Sequence, residues 1–138
     1  MIAVRRGSAD DLAAIAAIQS ASPEAAHWDP ADYLTYDLSV AVVDHAVAGF
    51  LAGRDLAGIE YEILNLAVAP EWRRQGVAKA LLSELVTRWR GTIFLEVRAS
   101  NSAAIELYNT FGFQQLSRRE EYYQNPLEAA IVMNFHSC

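Results

Sequence analysis

The sequence predicts one α/β domain with a mixed, mostly antiparallel central sheet flanked by about four helices. Strand-like and helix-like hydrophobic patterns alternate along 138 residues, a length that suits a single domain. Residues 40–51 read as an early hairpin around Asp44 and His45, which indicates antiparallel pairing. Residues 60–98 read as strand, helix and strand, which predicts a parallel crossover later in the chain.

The first third of the chain contains a strand and two helices. Residues 2–5 are predicted to form the strand, and Ser8 is a candidate N-cap for a helix that ends near residue 20. Asp29 followed by Pro30 is typical of an N-cap and a first-turn proline. A second short helix is therefore predicted from Pro30 to about residue 38.

The crossover begins with a strand over residues 60–68, ended by Pro70. In this strand Leu64, Leu66 and Val68 form an apolar set, and polar or small residues interleave with them at Asn65 and Ala67. The helix that follows is predicted over residues 75–90, with Gly91 just past its end. Its expected buried face comprises Ala78, Leu82, Leu85 and Trp89.

The rest of the chain continues the alternation. Residues 92–98 are apolar enough on both faces to predict a central strand. Ser100 or Asn101 is expected to cap a helix that runs to about residue 110 and is closed by Gly112. Two last strands are predicted near residues 113–123 and 131–135.

Composition narrows the functional class. The net charge of −6 and a pI near 4.9 argue against direct nucleic-acid binding and suit a cationic acceptor. No uncharged apolar run approaches the ~18 residues of a membrane span, and the N-terminus lacks the pattern of a signal peptide. The lone cysteine, Cys138, allows no internal disulfide. We expect a cytoplasmic protein that acts without a membrane.

The stretch "PEWRRQGVAKALL" places positive charge and backbone freedom at a helix entrance. Gly76 lets backbone approach a ligand, Ala78 adds little bulk, and Arg73, Arg74 and Lys79 supply charge. Free N–H groups and the helix dipole favour a phosphate there. The stretch matches neither the dinucleotide nor the P-loop fingerprint. From these residues alone, a phosphate site and a solvated basic helix start remain equally open.

Two longer motifs favour the phosphate site. "LNLAVAPEWRRQGVAKALL" followed by "LEVRASNSAAIELYNTFGF" resembles the GNAT family of N-acetyltransferases, and more narrowly its RimI-type ribosomal-protein-alanine N-acetyltransferases. The resemblance implies a single GNAT domain over residues 1–138, with the sheet splayed at an acetyl-CoA site. It also implies acetyl-CoA as the acetyl donor.

The resemblance also implies where acetyl-CoA lies. The pantetheine arm would follow the strand that ends in Leu66, Ala67 and Val68, and the pyrophosphate would lie on the backbone of residues 74–79. Ala78 stands where many relatives have a second glycine, a replacement that the pattern tolerates. The full set implied for the cofactor is Leu66, Ala67, Val68, Arg73, Arg74, Gln75, Gly76, Val77, Ala78, Lys79, Asn101 and Tyr108.

Acetyl transfer needs a base for the amine and a proton for the departing thiolate. Glu96 is a carboxylate in an otherwise apolar strand, where burial would raise its pKa. By itself such a glutamate is more often exposed or paired with Arg98, and Tyr108 is more often a core tyrosine. The resemblance implies that Glu96 acts as the general base, through water, and that Tyr108 protonates the sulfur.

The acceptor site has three candidates, for which ordinary packing is an equal alternative. Trp28 lies between the first two helices, and Tyr122 and Tyr123 match paired tyrosines that related enzymes place against a substrate peptide. Ala129 stands where RimI-type sequences usually carry aspartate, and the segment before it is short. This departure concerns the choice of acceptor, not acetyl-CoA binding.

The resemblance implies transfer to the N-terminal alanine of a small-subunit ribosomal protein. An α-amine with a pKa of about 8 leaves more neutral amine than a lysine near 10.4. Since His27, His45 and His136 lie in no nucleophile motif, we expect direct attack in a ternary complex. The histidines and Cys138 are too dispersed for a metal site. A small-molecule amine, another N-terminus, or a silent acyl-CoA sensor remain the alternatives.

Overall fold

The chain forms one seven-stranded sheet with helices packed on both faces. The computed structural model describes residues 1–23, 28–123 and 127–137. Short 3-10 helices occupy Ala9–Asp11, Pro30–Thr35 and Pro70–Trp72. The other elements are β1 (Ala3–Arg6), α1 (Leu12–Ser20), β2 (Asp37–Val43), β3 (Ala46–Leu56), β4 (Glu60–Val68), α2 (Val77–Arg88), β5 (Gly91–Arg98), α3 (Ser102–Phe111), β6 (Gln114–Tyr123) and β7 (Glu128–Ser137).

The predicted mixed sheet is confirmed. The strands lie in the order β1-β2-β3-β4-β5-β7-β6, and every neighbouring pair is antiparallel except β4 and β5. The β4 and β5 strands are parallel because α2 crosses between them. The early hairpin is also confirmed. Asp44 and His45 have φ values of 50° and 66°, the left-handed conformation that a two-residue hairpin turn requires.

The second predicted helix is shorter than expected. Asp29 caps it as predicted, with its side chain accepting from the Ala31 N–H at 3.1 Å. The helix is of the 3-10 type and ends at Thr35, because Tyr36 adopts extended backbone. Asp37 then opens β2 opposite Gly53 of β3, so strand pairing replaces the predicted last turn.

The buried face of α2 differs from the prediction. Leu82 and Leu85 are buried as expected, and Val77 and Leu81 join them in place of Ala78 and Trp89. Trp89 lies past the helix end in extended backbone, and its ring centroid lies 5.8 Å from that of Tyr61. The apolar face is therefore shifted around the helix.

Gly91 does not end the helix, as was predicted, but begins β5. Its φ of 123° is a conformation that side chains rarely adopt. An added Cβ would also come within 2.9 Å of the Trp89 ring and 3.1 Å of the Ile59 carbonyl oxygen. Glycine is needed here so that the chain can turn from α2 into the sheet beneath Trp89.

One extra residue in β4 changes the sheet face that its later side chains meet. Gly53 of β3 lies opposite Ile63, whereas Ala52 lies opposite Asn65, so Leu64 has no partner of its own. Ile63, before this bulge, belongs to the larger core, whereas Ala67, after it, belongs to the core on the opposite face. Asn65 and Ala67 are buried, and the predicted apolar set of Leu64, Leu66 and Val68 is only half-buried.

Two hydrophobic cores cover the two sheet faces. The larger core joins α2 and α3 to the sheet and includes Leu81, Leu82, Leu85, Leu95 and Met133. The second core joins α1 and the Pro30–Thr35 helix to the opposite face and includes Ile15, Ile18, Tyr33, Phe50 and Ala67. The two faces are therefore separate environments, and a residue's position in its strand decides which one it meets.

The outer strand β6 contributes little to either core. From Gln114 to Glu121 its side chains are exposed, and Leu116 is 64% exposed. It pairs with β7 on one side, at the end of the sheet. Its register is interrupted after Arg119 and resumes at Tyr123, which pairs with Glu128.

A charged network fastens β2 to β4 and α2. The Asp37 carboxylate accepts from the Tyr61 hydroxyl at 2.6 Å, from Arg6 at 2.6 Å and from Arg88 at 2.7 Å. Burial alone would raise the pKa of Asp37, but these three donors outweigh burial and hold that pKa below its ordinary value. The carboxylate is therefore more stable in the folded chain than in the unfolded one.

Replacing Asp37 should destabilise the fold strongly at neutral pH. For Asp37→Asn we expect a loss of about 2–3 kcal/mol in the free energy of unfolding, measured by urea denaturation, because three donors lose their charged acceptor. Because the folded-state pKa is lowered, the wild-type advantage is full above the ordinary value of 3.8 and is lost as the pH falls through the folded-state pKa.

Glu84→Gln is the matched control. Glu84 pairs with the same arginine, Arg88, at 2.9 Å, but on the surface of α2. Its loss should cost less than about 0.5 kcal/mol. Equal losses for the two variants, or a pH-independent loss for Asp37→Asn, would contradict this account.

Candidate active site

The sheet opens between β4 and β5. The parallel pairing joins residues 60–63 to residues 92–95 and, within the described residues, ends at Ile63 opposite Leu95. Beyond that point, residues 64–67 have no strand partner on the side that faces β5. Their backbone polar groups on that side can therefore pair with an extended ligand, as a further strand would.

The N-terminus of α2 follows directly from this open strand. Gly76 caps the helix with φ 87°, and the first intrahelical bond runs from the Ala80 N–H to the Gly76 carbonyl at 2.9 Å. The N–H groups of Val77, Ala78 and Lys79 precede that bond and have no acceptor within the helix. Arg74 is also left-handed, with φ 62°. The loop thus gathers free N–H donors at the positive end of a helix.

The basic side chains of this loop differ in their contacts. The Arg73 guanidinium donates to the Val68 carbonyl at 3.2 Å, and also to the Ala21 carbonyl at 3.1 Å and the Ser22 hydroxyl at 3.2 Å. It therefore ties the loop to the end of α1. Arg74 and Lys79 are exposed. Gln75 donates its side-chain amide to the Glu71 carbonyl at 3.1 Å.

Space remains open beside the loop. A Cβ added at Gly76 would find Ile2 Cδ1 at 4.0 Å as its neighbour, so side chains do not block this residue. An adjoining cavity of about 380 Å³ is lined by Met1, Ile2, Val43, Trp72, Gln75 and Val77.

Glu96 is the first β5 residue past the point where the strands separate. Its side chain is 20% exposed and accepts from Arg119 of β6 at 3.2 Å. The Tyr122 hydroxyl donates to the same carboxylate, and this bond raises the pKa of Tyr122. The structure thus brings the predicted base together with one of the predicted acceptor tyrosines, through a strand far away in the sequence.

Tyr123 belongs to the same polar cluster. The Arg98 guanidinium carbon lies 4.3 Å from the centre of its ring, and Arg98 also pairs with Glu128 at 3.2 Å. Burial, with a contribution from the Glu96 charge, raises the pKa of Tyr123. Glu128 in turn accepts from the backbone N–H of Ser100 at 3.0 Å, which ties β7 to the entrance of α3.

Tyr108 and Asn101 occupy α3 as predicted. Tyr108 is 6% exposed, and its ring lies edge-on to Phe113 with centroids 5.4 Å apart. Burial raises the pKa of Tyr108, so its hydroxyl stays protonated at neutral pH. Asn101 caps the helix, and its side-chain oxygen accepts from the Ala104 N–H at 3.2 Å. The amide nitrogen of Asn101 is the group that this cap does not use.

Trp28 packs beside the second core. Its ring stacks on Tyr33 with centroids 5.7 Å apart and planes 9° apart, and lies edge-on to Tyr36 at 5.7 Å. Glu96 alternates with Leu95 and Val97 of the larger core, so it lies on the sheet face that Trp28 also covers. His27 and Cys138 lie outside the described residues.

Two simple absences apply to the part of the chain that the structure describes. No group of three or more His, Cys, Asp or Glu side chains there is arranged to hold a metal ion. None of the helices there has both the length and the hydropathy that crossing a membrane requires.

Sequence reasoning missed two features of this region. Arg119 was not identified as the partner of Glu96, because the contact crosses from β5 to β6. The sequence pattern predicts Asn65 as an interruption of an apolar set, whereas the structure buries it and its side-chain amide donates to the Tyr33 hydroxyl at 2.8 Å. A polar amide between two leucines was the available signal for a buried partner.

Comparisons with known proteins agree with this geometry. A model of the acetyltransferase (GNAT) family matches residues 10–113. The ribosomal protein bS18-alanine N-acetyltransferase of Escherichia coli is 44% identical over 80 residues, which cover 54% of this chain and 54% of that protein. The chain thus spans about half the length of the curated relatives it matches.

Two solved structures share the fold over nearly the whole chain. The crystal structure of the Escherichia coli ribosomal-protein-S18-alanine N-acetyltransferase superposes with a TM-score of 0.84 at 29% identity, covering 99% of this chain and 94% of that one. The structure of Ard1 from Thermoplasma volcanium superposes with a TM-score of 0.89 at 26% identity, covering 99% and 98%.

Two substitutions of Asn101 distinguish its side-chain oxygen, which caps α3, from its amide nitrogen, which does not. Asn101→Ala should lower the free energy of unfolding by about 1 kcal/mol, because the Ala104 N–H loses its acceptor. Asn101→Asp keeps an equivalent acceptor and should stay near wild type in urea denaturation. Equal destabilisation of both variants would show that the cap is not the source of the loss.

Proposed function

This chain belongs to the acetyltransferase (GNAT) family, and from that premise we propose that it is an acetyl-CoA-dependent N-acetyltransferase for a protein N-terminal α-amine. One observation carries the proposal. The β4–β5 pairing ends at Ile63 and Leu95, and the next residue of β5 is Glu96. An open backbone edge, a cluster of N–H groups and a candidate base therefore lie around one opening in the sheet.

The residues around the opening fit acetyl-CoA. The unpaired edge of β4 can bind the pantetheine amides through Leu66, Ala67 and the N–H of Val68, whose carbonyl accepts from Arg73. The N–H groups from Arg74 to Lys79 can hold the pyrophosphate, with Arg74 and Lys79 adding charge. The contacts of Arg73 support a role in holding the loop, beside its proposed place in the cofactor set. Bound acetyl-CoA supplies the acetyl thioester.

Glu96 is proposed as the general base. An N-terminal amine attacks only when it is neutral, so its proton must leave before or during attack. The Glu96 carboxylate can accept that proton, directly or through one water. Its contacts with Arg119 and Tyr122 orient the carboxylate at the opening.

Tyr108 is proposed as the general acid. As the amine nitrogen bonds to the acetyl carbon, the carbon–sulfur bond breaks and the sulfur takes up a proton. Burial raises the pKa of Tyr108, so its hydroxyl carries a proton when acetyl transfer begins. As the carbon–nitrogen bond forms, the neutral amine gives one proton to Glu96, and Tyr108 gives one proton to the sulfur. Return of the Glu96 proton to Tyr108 through solvent restores both side chains.

The acceptor is proposed to be the N-terminal alanine of a small-subunit ribosomal protein in the cytoplasm. Support comes from the likeness to the Escherichia coli enzyme named for that reaction, which extends over 99% of this chain in the structural comparison. Trp28, Tyr122 and Tyr123 are proposed to line the peptide path. The position of Tyr122 against Glu96 supports this assignment.

A panel of peptides that differ in their first residue tests the function, with CoA release as the measurement. We expect the fastest turnover with an alanine-first peptide from a small-subunit ribosomal protein. Stabilisation by CoA in a thermal-shift assay without turnover of any peptide would contradict the proposal and favour a silent acyl-CoA-binding domain. Turnover of a free small amine in preference to every peptide would contradict the acceptor assignment.

Glu96→Gln should lower kcat by at least about 100-fold, because the amide cannot take the amine proton. Binding of acetyl-CoA, measured by calorimetry, should be unchanged. Glu62→Gln is a matched control, since Glu62 is also a strand glutamate, 18% exposed, and pairs with Arg54 at 2.7 Å. Unchanged turnover in Glu96→Gln would remove Glu96 from the mechanism.

Tyr108→Phe should slow acetyl transfer by about 10-fold or more while acetyl-CoA still binds, because the sulfur loses its proton donor. Steady-state kinetics with the best peptide of the panel measures the effect. Tyr61→Phe removes another buried tyrosine hydroxyl and should leave the rate unchanged. Full activity in Tyr108→Phe would reduce Tyr108 to a packing residue.

A further inference from the structure

Resting on the proposed function, we infer that Gln19, Tyr33 and Asn65 form a positioning chain that fixes Trp28, the proposed acceptor wall, relative to the cofactor strand β4. None of the three contacts the reacting atoms in this assignment. They act through the backbone and ring of Trp28. The positioning chain would therefore set how well the acceptor peptide binds, and not how fast the acetyl group is transferred.

The hydrogen bonds of the positioning chain run without a break from β4 to Trp28. The Asn65 side-chain amide donates to the Tyr33 hydroxyl at 2.8 Å, and that hydroxyl donates to Gln19 Oε1 at 2.5 Å. Gln19 Nε2 then donates to the carbonyl oxygen of Trp28 at 2.5 Å. Three bonds thus connect four separate segments: β4, the Pro30–Thr35 helix, α1 and the loop that carries Trp28.

Because the side chains of the positioning chain are buried, their hydrogen bonds restrict the position of Trp28. Tyr33 is fully buried, and Gln19 and Asn65 are each 6% exposed. Buried polar groups without partners are costly, so each member restricts the position of the next. Burial raises the pKa of Tyr33, which keeps its hydroxyl protonated and able to donate to Gln19. An apolar contact would tolerate small shifts of Trp28 that these hydrogen bonds exclude.

Tyr33 holds Trp28 in a second way. Its ring stacks on the Trp28 ring at 5.7 Å and packs against Phe50 of β3 with centroids 5.3 Å apart. The hydroxyl acts through Gln19 on the backbone of Trp28, and the ring acts on its side chain. Substituting phenylalanine at residue 33 therefore breaks the hydrogen bonds and leaves the stacking.

The end of the positioning chain lies where the cofactor strand changes course. Asn65 is the first residue of β4 after the Leu64 bulge, and the pairing with β5 ends just before that bulge. Its neighbours Leu66, Ala67 and Val68 are the residues proposed for the pantetheine arm. Asn65 therefore connects Trp28, through Tyr33 and Gln19, to the strand proposed to bind the acetyl donor.

Tyr33→Phe tests the inference in the full chain. We expect the KM for the alanine-first peptide to rise by about 5-fold, because the Tyr33 hydroxyl loses its bonds to Gln19 and Asn65, with kcat and the KM for acetyl-CoA unchanged. Tyr61→Phe is the matched control, since it removes another buried hydroxyl, which donates to Asp37 at 2.6 Å. Tyr61→Phe should leave the peptide KM unchanged even if its thermal stability falls equally.

Gln19→Met removes the link between Tyr33 and Trp28 without placing a charge in the buried site. Its side chain has a similar length but offers no N–H to the Trp28 carbonyl. The peptide KM should rise as in Tyr33→Phe. A wild-type peptide KM in either variant, or a fall in kcat with an unchanged KM, would overturn the inference.

Hydrogen exchange measured by mass spectrometry tests the same inference without any acceptor. Exchange over residues 28–36 should be faster in Tyr33→Phe than in wild type and unchanged in Tyr61→Phe. Equal exchange in Tyr33→Phe and wild type would overturn the inference. Absence of wild-type turnover with every peptide would instead overturn the proposed function, and exchange would still decide whether the positioning chain holds Trp28.

Discussion

The single extra residue at Leu64 is the constraint on which the architecture of the site depends. It turns Asn65 and Ala67 towards the second core and Leu66 and Val68 towards the larger one. The parallel pairing with β5 ends at the residue before it. The bulge and the end of the parallel ladder therefore adjoin, and beyond them Asn65 faces Tyr33 on the opposite side of the sheet from Ile63.

Most of the fold was predictable because it follows from local patterns. The hairpin at Asp44 and His45, the bounds of β4 and the Asn101 cap depend on alternation, turn chemistry and capping. The errors occurred where a tertiary contact overrode the local signal. Gly91 resembles a helix stop, yet the Trp89 ring and the start of β5 determine its role. The second helix ended early because Asp37 pairs with β3.

Short motifs predict the residue types of the candidate site, but they do not predict how those residues are connected. The family motifs identified Glu96, Tyr108 and the α2 entrance, each within a short stretch of sequence. The partners of these residues come from distant segments: Arg119 lies 23 positions from Glu96, and Tyr33 lies 32 positions from Asn65. A single sequence contains no signal for such pairs until the order of the strands is known. The strand register and the Leu64 bulge determine which of these distant residues come into contact.

The exposed outer strand has a consequence for redesign. An edge strand offers unpaired backbone to other molecules, and closely spaced charges such as those of Arg118, Arg119, Glu120 and Glu121 discourage self-association. Arg119 also contacts Glu96. The same side chain therefore discourages self-association and places a positive charge beside the candidate base. Attempts to widen acceptor range by making β6 more apolar would therefore risk aggregation. Changes near Trp28, the proposed acceptor wall, would avoid that conflict.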